Sequence, residues 1–152
     1  PLFGSVGGDA ALRLWDLARR REWKHKGLEA AGRSIHFSPD GKLVAVGHSN
    51  GSWSVHRLDT MDEVIATKDR KKDIWAVKFS PNGRYLAAGS EDCMIDLYDC
   101  VSDFDWMGSL QGHTHAIKHI DWSTDSRNIQ SAGDAHELFT WDVETQQMLP
   151  SY

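Results

Sequence analysis

The stretch Gly112-His113-Thr114-His115-Ala116-Ile117-Lys118-His119-Ile120-Asp121-Trp122-Ser123, with Ser131, Asp134 and Trp141-Asp142 behind it, decides the fold. Gly-His reads as a turn, and Ala116 to Trp122 as a strand. Ser123-Thr124-Asp125-Ser126 turns the chain, Asn128 to Ala132 returns as a second strand, and Glu137 to Asp142 forms a third. Short runs rich in β-branched and aromatic residues, bounded by turn residues, favour strands. A unit this small cannot cover both of its own faces. The reading therefore requires further copies at a fixed period.

The copies are present. Leu43-Val44-Ala45-Val46-Gly47, a turn at Asn50-Gly51, and Ser52-Trp53-Ser54-Val55-His56 repeat the strand–turn–strand unit. Tyr85 to Gly89, Asp92 and Met94 to Tyr98 repeat it again, and Leu2 to Trp15 contain an earlier version. The turns Ser38-Pro39-Asp40-Gly41 and Ser80-Pro81-Asn82-Gly83 are near copies, with Pro and Gly where a type I turn accepts them. Phe37 to Phe79 is a step of 42 residues and Phe79 to Trp122 a step of 43. The Trp15 position recurs at His56, Tyr98 and Trp141, at steps of 41, 42 and 43. A Gly-His followed by Trp-Asp at a period of about 40–45 residues is the mark of a β-propeller built from four-stranded antiparallel blades. The fold expected is all-β. On this count residues 1–31 are an incomplete blade, 32–72 and 73–114 are blades, and 115–152 are a last blade that need not be complete.

These motifs resemble the WD-repeat family across the whole chain. Two stretches are similar to the echinoderm microtubule-associated protein-like group within it. They are Gly112 to Ser123 continued by Gly133-Asp134 and Trp141-Asp142, and Ala45-Val46-Gly47 through Gly51-Ser52-Trp53. The resemblance implies a buried polar chain of His113, Ser131, Asp134 and Trp141 that fixes the last blade. The indole N–H is a donor only and needs an acceptor when buried, which a Ser hydroxyl provides. The other blades keep less of the pattern: Asp9 and Trp15 in the first, Val46, Asn50 and His56 in the second, Ala88, Asp92 and Tyr98 in the third. Those blades are expected to rely on apolar packing and strand pairing.

Other chemistries fit the residues poorly. His113, Ser131 and Asp134 have the residue types of a catalytic triad, but Ser131 falls inside a strand with no Gly-x-Ser-x-Gly elbow. His115 and His119 lie about 13 Å apart along an extended strand, too far for one zinc ion. Gly4, Gly7 and Gly8 have no Lys-Ser or Lys-Thr behind them and form no phosphate loop. Cys93 and Cys100 are the only cysteines, too few for a zinc site or a disulfide framework. Neither enzyme activity nor a cofactor or metal is expected.

A net charge of −5 opposes attraction of the whole molecule to nucleic acid, and no apolar run is long enough to span a membrane. Two basic groups stand against that background. Arg19, Arg20 and Arg21, with Lys24 and Lys26, sit between the third and fourth strands of the opening blade; Lys68, Arg70, Lys71 and Lys72 sit between two blades. Connections in an antiparallel blade alternate between the faces of the disc, so these groups belong to opposite faces. The resemblance implies an acidic protein partner, tubulin or the microtubule, for a non-enzymatic scaffold of the cytoplasmic or ciliary cytoskeleton. The Lys68–Lys72 link is the favoured contact. An adaptor in another assembly, such as a substrate receptor or an RNA-processing scaffold, is the alternative.

Seven blades of this period need about 294 residues, so 152 residues make about half a ring. The chain opens at Pro1 in a strand-like segment without an initiator Met, which predicts a piece of something longer. An isolated half-ring exposes apolar faces and strand edges. The remaining blades are expected from the same protein or from another chain.

Overall fold

The computed structural model describes residues 1–150. Fifteen strands form four separate antiparallel sheets, and a single 3₁₀ turn, Asp134–His136, is the one helical element described. The first sheet has three strands: β1 (Leu2–Ser5), β2 (Ala11–Asp16) and β3 (Arg21–Gly27). The second runs β4 (Gly32–Phe37), β5 (Leu43–His48), β6 (Ser52–Arg57) and β7 (Glu63–Lys68). The third runs β8 (Ile74–Phe79), β9 (Tyr85–Ser90), β10 (Met94–Asp99) and β11 (Asp105–Gln111). The fourth runs β12 (Ile117–Trp122), β13 (Asn128–Gly133), β14 (Leu138–Asp142) and β15 (Met148–Leu149). Each sheet is a simple meander. Among the described residues no strand pairing joins the last sheet to the first, so these four sheets do not close into a ring by themselves.

The core lies between the sheets and not within them. Period-2 alternation sends successive residues of a middle strand to opposite seams. On β9, Leu86 and Ala88 join the cluster shared with the second sheet, beside Trp53, Val55 and Phe79. Their neighbour Ala87 joins Ile117, Ile120, Ile129 and Trp141 in the seam with the fourth sheet. On β5, Ala45 faces the third sheet while Val44 and Val46 pack with Leu12 and Leu14 of the first. With both faces covered, β5, β9 and β10 are almost wholly buried, whereas the outer strands β3 and β7 are largely exposed. Buried surface of this kind stabilises by roughly 25 cal/mol per Å². Gly89 sets the depth of the last seam. A Cβ there would stand 2.7 Å from Ile117 Cγ2 and 3.0 Å from Ile120 Cδ1.

The inner-strand turns share one local chemistry. Ser38 Oγ accepts the Leu43 N–H at 2.9 Å and donates to Asp40 Oδ1, which accepts the Lys42 N–H at 3.0 Å. Ser80 with Asn82, and Ser123 with Asp125, repeat the same bonds. A hydroxyl and a short carbonyl-bearing side chain two residues on satisfy the turn amides, which is why this signature recurs.

Candidate functional site

The fourth sheet carries a directional hydrogen-bond chain. The Trp141 Nε1–H donates to Ser131 Oγ at 2.8 Å, and the Ser131 hydroxyl donates to His113 Nε2 at 2.7 Å. The His113 Nδ1–H then donates to Glu137 Oε2 at 2.9 Å. The order is fixed because indole can only donate and a carboxylate can only accept. Ser131 and Trp141 are essentially inaccessible, so the hydroxyl is a relay inside a seam and not an exposed nucleophile.

The fourth member of the chain is Glu137, which corrects the expectation of Asp134. The β13–β14 connection holds one residue more than its counterparts in the second and third sheets and takes up the 3₁₀ turn at Asp134–His136. That turn leaves Asp134 exposed, with Lys118 Nζ 4.0 Å away, and delivers Glu137 beneath the imidazole. Glu137 also accepts the Thr114 N–H at 3.1 Å and the Thr114 hydroxyl. Bonds from the Thr114 hydroxyl, then from His113, pull its carboxyl down to about 2.

The other sheets are not held by apolar packing alone, contrary to expectation. In the second, Ser54 Oγ lies 2.8 Å from both His48 Nε2 and His56 Nε2, and all three residues are buried. His56 stands where Trp141 stands: it faces Val44 across the ladder as Trp141 faces Ile129. One hydroxyl hydrogen serves two imidazoles, so Ser54 donates to one and accepts from the other. Burial lowers His48 and, with the charge of Lys26 and neighbouring His48, brings His56 down to about 4. In the first sheet the Trp15 indole donates to Ser5 Oγ at 2.9 Å, while Asp9 pairs with Arg13 at 2.6 Å.

The third sheet substitutes charge for the imidazole. Arg70 lies four residues ahead of Ile74, as His113 lies four ahead of Ile117. Its Nε donates to Asp96 Oδ2 at 2.6 Å, its Nη2 reaches Asp96 Oδ1, and Nη2 donates to Ser109 Oγ at 2.9 Å. The Asp96 carboxylate raises the guanidinium pKa further. Asp69, in the glycine's place, accepts the Tyr98 hydroxyl at 2.6 Å and the Trp53 indole at 3.3 Å. Burial, then Asp69, raises the Tyr98 phenol far above its usual range. Gly51, at φ +83°, allows the link to lie flat, since a Cβ there would stand 2.1 Å from the Arg70 carbonyl.

These placements redraw the basic groups. Arg70 is a structural cation and is withdrawn from the partner-binding set. Lys68, Lys71 and Lys72 are exposed and have no ion-pair partner among the described residues. On the opposite face Arg20 and Arg21 are likewise exposed and unpaired among the described residues, while Arg19 Nε lies 3.6 Å from Asp16. Lys24 and Lys26 do not join them. They donate to the carbonyls of Leu58, Asp59 and Met61 and tie the first sheet to the second. Among the described residues no group of three or more His, Cys, Asp or Glu is arranged to hold a metal ion.

Sequence kinship agrees with this architecture. The chain is 33% identical over 147 residues to the 77 kDa echinoderm microtubule-associated protein of Lytechinus variegatus, covering 95% of this chain and 22% of that protein. It is 32% identical over 152 residues to echinoderm microtubule-associated protein-like 2 of Rattus norvegicus, covering 98% and 23%. Against echinoderm microtubule-associated protein-like 3 of Homo sapiens it is 35% identical over 144 residues, covering 93% and 16%. The chain thus spans about a fifth of the length of the curated relatives it matches. The family model for the second β-propeller of echinoderm microtubule-associated proteins matches residues 1–152, and the chain belongs to that family.

Proposed function

We propose that the chain is part of a non-enzymatic scaffold that binds tubulin or microtubules and resides on the microtubule cytoskeleton. The observation that carries the reading is identity of 33% over 95% of the chain to a protein named for microtubule association. The surface supports it: His113 and Ser131, which have catalytic residue types, are engaged in a buried relay, and Lys68, Lys71 and Lys72 present exposed cations on one link. An acidic partner surface would be attracted to those lysines despite the net charge of −5. The apolar groups exposed at the two ends of the arc, Leu2 and Phe3 on β1 and Leu138, Met148 and Leu149 on the last sheet, are where further blades of the same protein or another chain would seat.

Co-sedimentation of the full-length protein with microtubules tests the reading. Charge reversal at Lys71 and Lys72 is expected to weaken binding and reduce its salt dependence, with Arg20 and Arg21 reversed as the opposite-face comparison. Unchanged binding in the lysine variant removes the link as the contact. Absence of co-sedimentation in the unmodified protein removes the function.

A further inference from the structure

Three inner strands carry the same irregularity at the same place. The β4–β5 register shifts between Gly32 and Ser34, the β8–β9 register between Ile74 and Ala76, and the β12–β13 register between Ile117 and His119. The residues displaced from the ladder are Arg33, Trp75 and Lys118, each four residues before the end of its strand. A bulge re-aims the side chain it carries. Here three bulges on adjacent strands bring a cation, an indole and a cation into one row. Lys118 Nζ lies 3.8 Å from the centre of the Trp75 ring, and Arg33 Cζ lies 5.2 Å from it.

The row is not electrically closed. Arg33 Nε holds the Asp73 carboxylate at 2.6 Å, which shows that this edge already accommodates one carboxylate. Lys118 has only Asp134, at 4.0 Å and with its side chain 59% exposed, so its charge is barely offset. The Trp75 Nε1–H is buried and has no acceptor. An unmatched indole donor between two cations is a cost unless an acceptor joins it. Exposed Lys71 and Lys72 immediately precede Asp73 and add positive charge on the same link.

We propose that Arg33, Trp75 and Lys118 form a binding site for the carboxylate side chain of an acidic peptide segment. The Trp75 N–H and the Lys118 ammonium supply its hydrogen bonds, and the cation over the ring gains from the indole face. Lys118, on a flexible stem, swings to admit the ligand. A nucleic acid is disfavoured, because one indole N–H and one ammonium match a single carboxylate and not a run of phosphates. The site does not require the peptide to come from tubulin.

A fluorescein-labelled hexaglutamate peptide, titrated into the full-length protein and followed by anisotropy, tests the proposal. Binding is expected and should weaken as salt is raised. Trp75→Phe keeps the ring and its cations but removes the donor, and should weaken binding about tenfold or more. Lys118→Met should do the same, while Arg20→Glu with Arg21→Glu should change nothing. Retained folding is checked by circular dichroism, and Trp75→Phe is conservative enough to read if Lys118→Met misfolds. No peptide binding, or equal binding by the wild type and both site variants, overturns the proposal. So does tighter binding of a single-stranded oligonucleotide lost in the same variants. Absence of peptide binding by the wild type, with its microtubule co-sedimentation intact, would sink this site alone, and peptide binding without co-sedimentation would sink the proposed function alone.

Discussion

Arg70 donates to Asp96 at 2.6 Å from the place that His113 occupies one sheet later. Both sites solve the same problem of anchoring the link between two blades to a middle strand. Where the fourth sheet uses a hydroxyl–imidazole relay that ends on the Glu137 carboxylate, the third uses an ion pair with Asp96 only 3% exposed and Arg70 18% exposed on their side chains. Removing one partner strands the other charge, which for buried pairs costs about 3–5 kcal/mol. Solvent access to Arg70 places the expected loss for Asp96→Asn toward the lower end. Arg70→Met combined with Asp96→Leu should be less destabilising than either single change. Native-state hydrogen exchange of β10 and β11 amides in the full-length protein reads the difference.

The second and fourth sheets should fail in different acid windows. His56 titrates near 4 in the fold against an ordinary 6.5, so the unfolded chain takes up its proton first as pH falls. The corresponding stability is complete above about 6.5 and is lost on descending toward 4, by about 3 kcal/mol in total. His48 is shifted the same way by burial. His36, whose Nδ1 accepts the Phe79 N–H at 3.1 Å across the seam, is lowered by burial and then by Lys78. Glu137 has a folded value near 2 against 4.5, so its contribution persists above 4.5 and disappears between 4.5 and 2. Exchange measured against pH should show β5 and β6 weakening before β13 and β14. In His56→Gln the loss between 6.5 and 4 should shrink, leaving only the His48 and His36 contributions. A single window shared by both sheets would contradict the separate relays.

The period of the fold was legible because its determinants are local. A turn made by Ser38 and Asp40, or by Ser80 and Asn82, closes within six residues, and strand alternation needs only neighbours. The polar anchors depend on cross-strand register and on the next blade, which spacing alone does not supply. Ser54 faces Val46 across the ladder, so the hydroxyl comes from β6 where the fourth sheet draws it from β13. A signal existed: polar Ser54 and His56 alternate with apolar Trp53 and Val55, and Asp96 sits two before Tyr98 in the same way. Asp134 misled because the residue count of its turn was visible but the 3₁₀ path that advances Glu137 was not.

That exchange of roles predicts a clear contrast within three residues. Asp134→Ala removes an exposed group with one distant cation and should change stability by less than about 0.5 kcal/mol. Glu137→Ala deprives the buried His113 Nδ1–H and the Thr114 N–H of their acceptor, and should cost about 1–3 kcal/mol. Ser131→Ala should be at least as costly, since it leaves both the Trp141 indole and His113 Nε2 unmatched. Exchange protection of β13 and β14 amides ranks the three. Equal effects of the Asp134 and Glu137 changes would refute the assignment of Glu137.

Gly89 offers a test of the seam itself. Its Cα lies so close to the next inner strand that a methyl group would overlap Ile117 Cγ2 at 2.7 Å and crowd Ile120 Cδ1 at 3.0 Å. Because Ile117 is fully buried and Ile120 is 4% exposed, neither side chain can turn into solvent to make room. Gly89→Ala should therefore displace β12 and cost about 1–3 kcal/mol, as overpacking does. Shortening the neighbour returns space: Gly89→Ala with Ile120→Val removes the Cδ1 atom that the new methyl would crowd. The Ile120→Val change alone costs about 0.5–1.5 kcal/mol, so the double variant should lose less than the sum of the two. Strict additivity would mean that the seam relaxes elsewhere and that Gly89 does not set its depth.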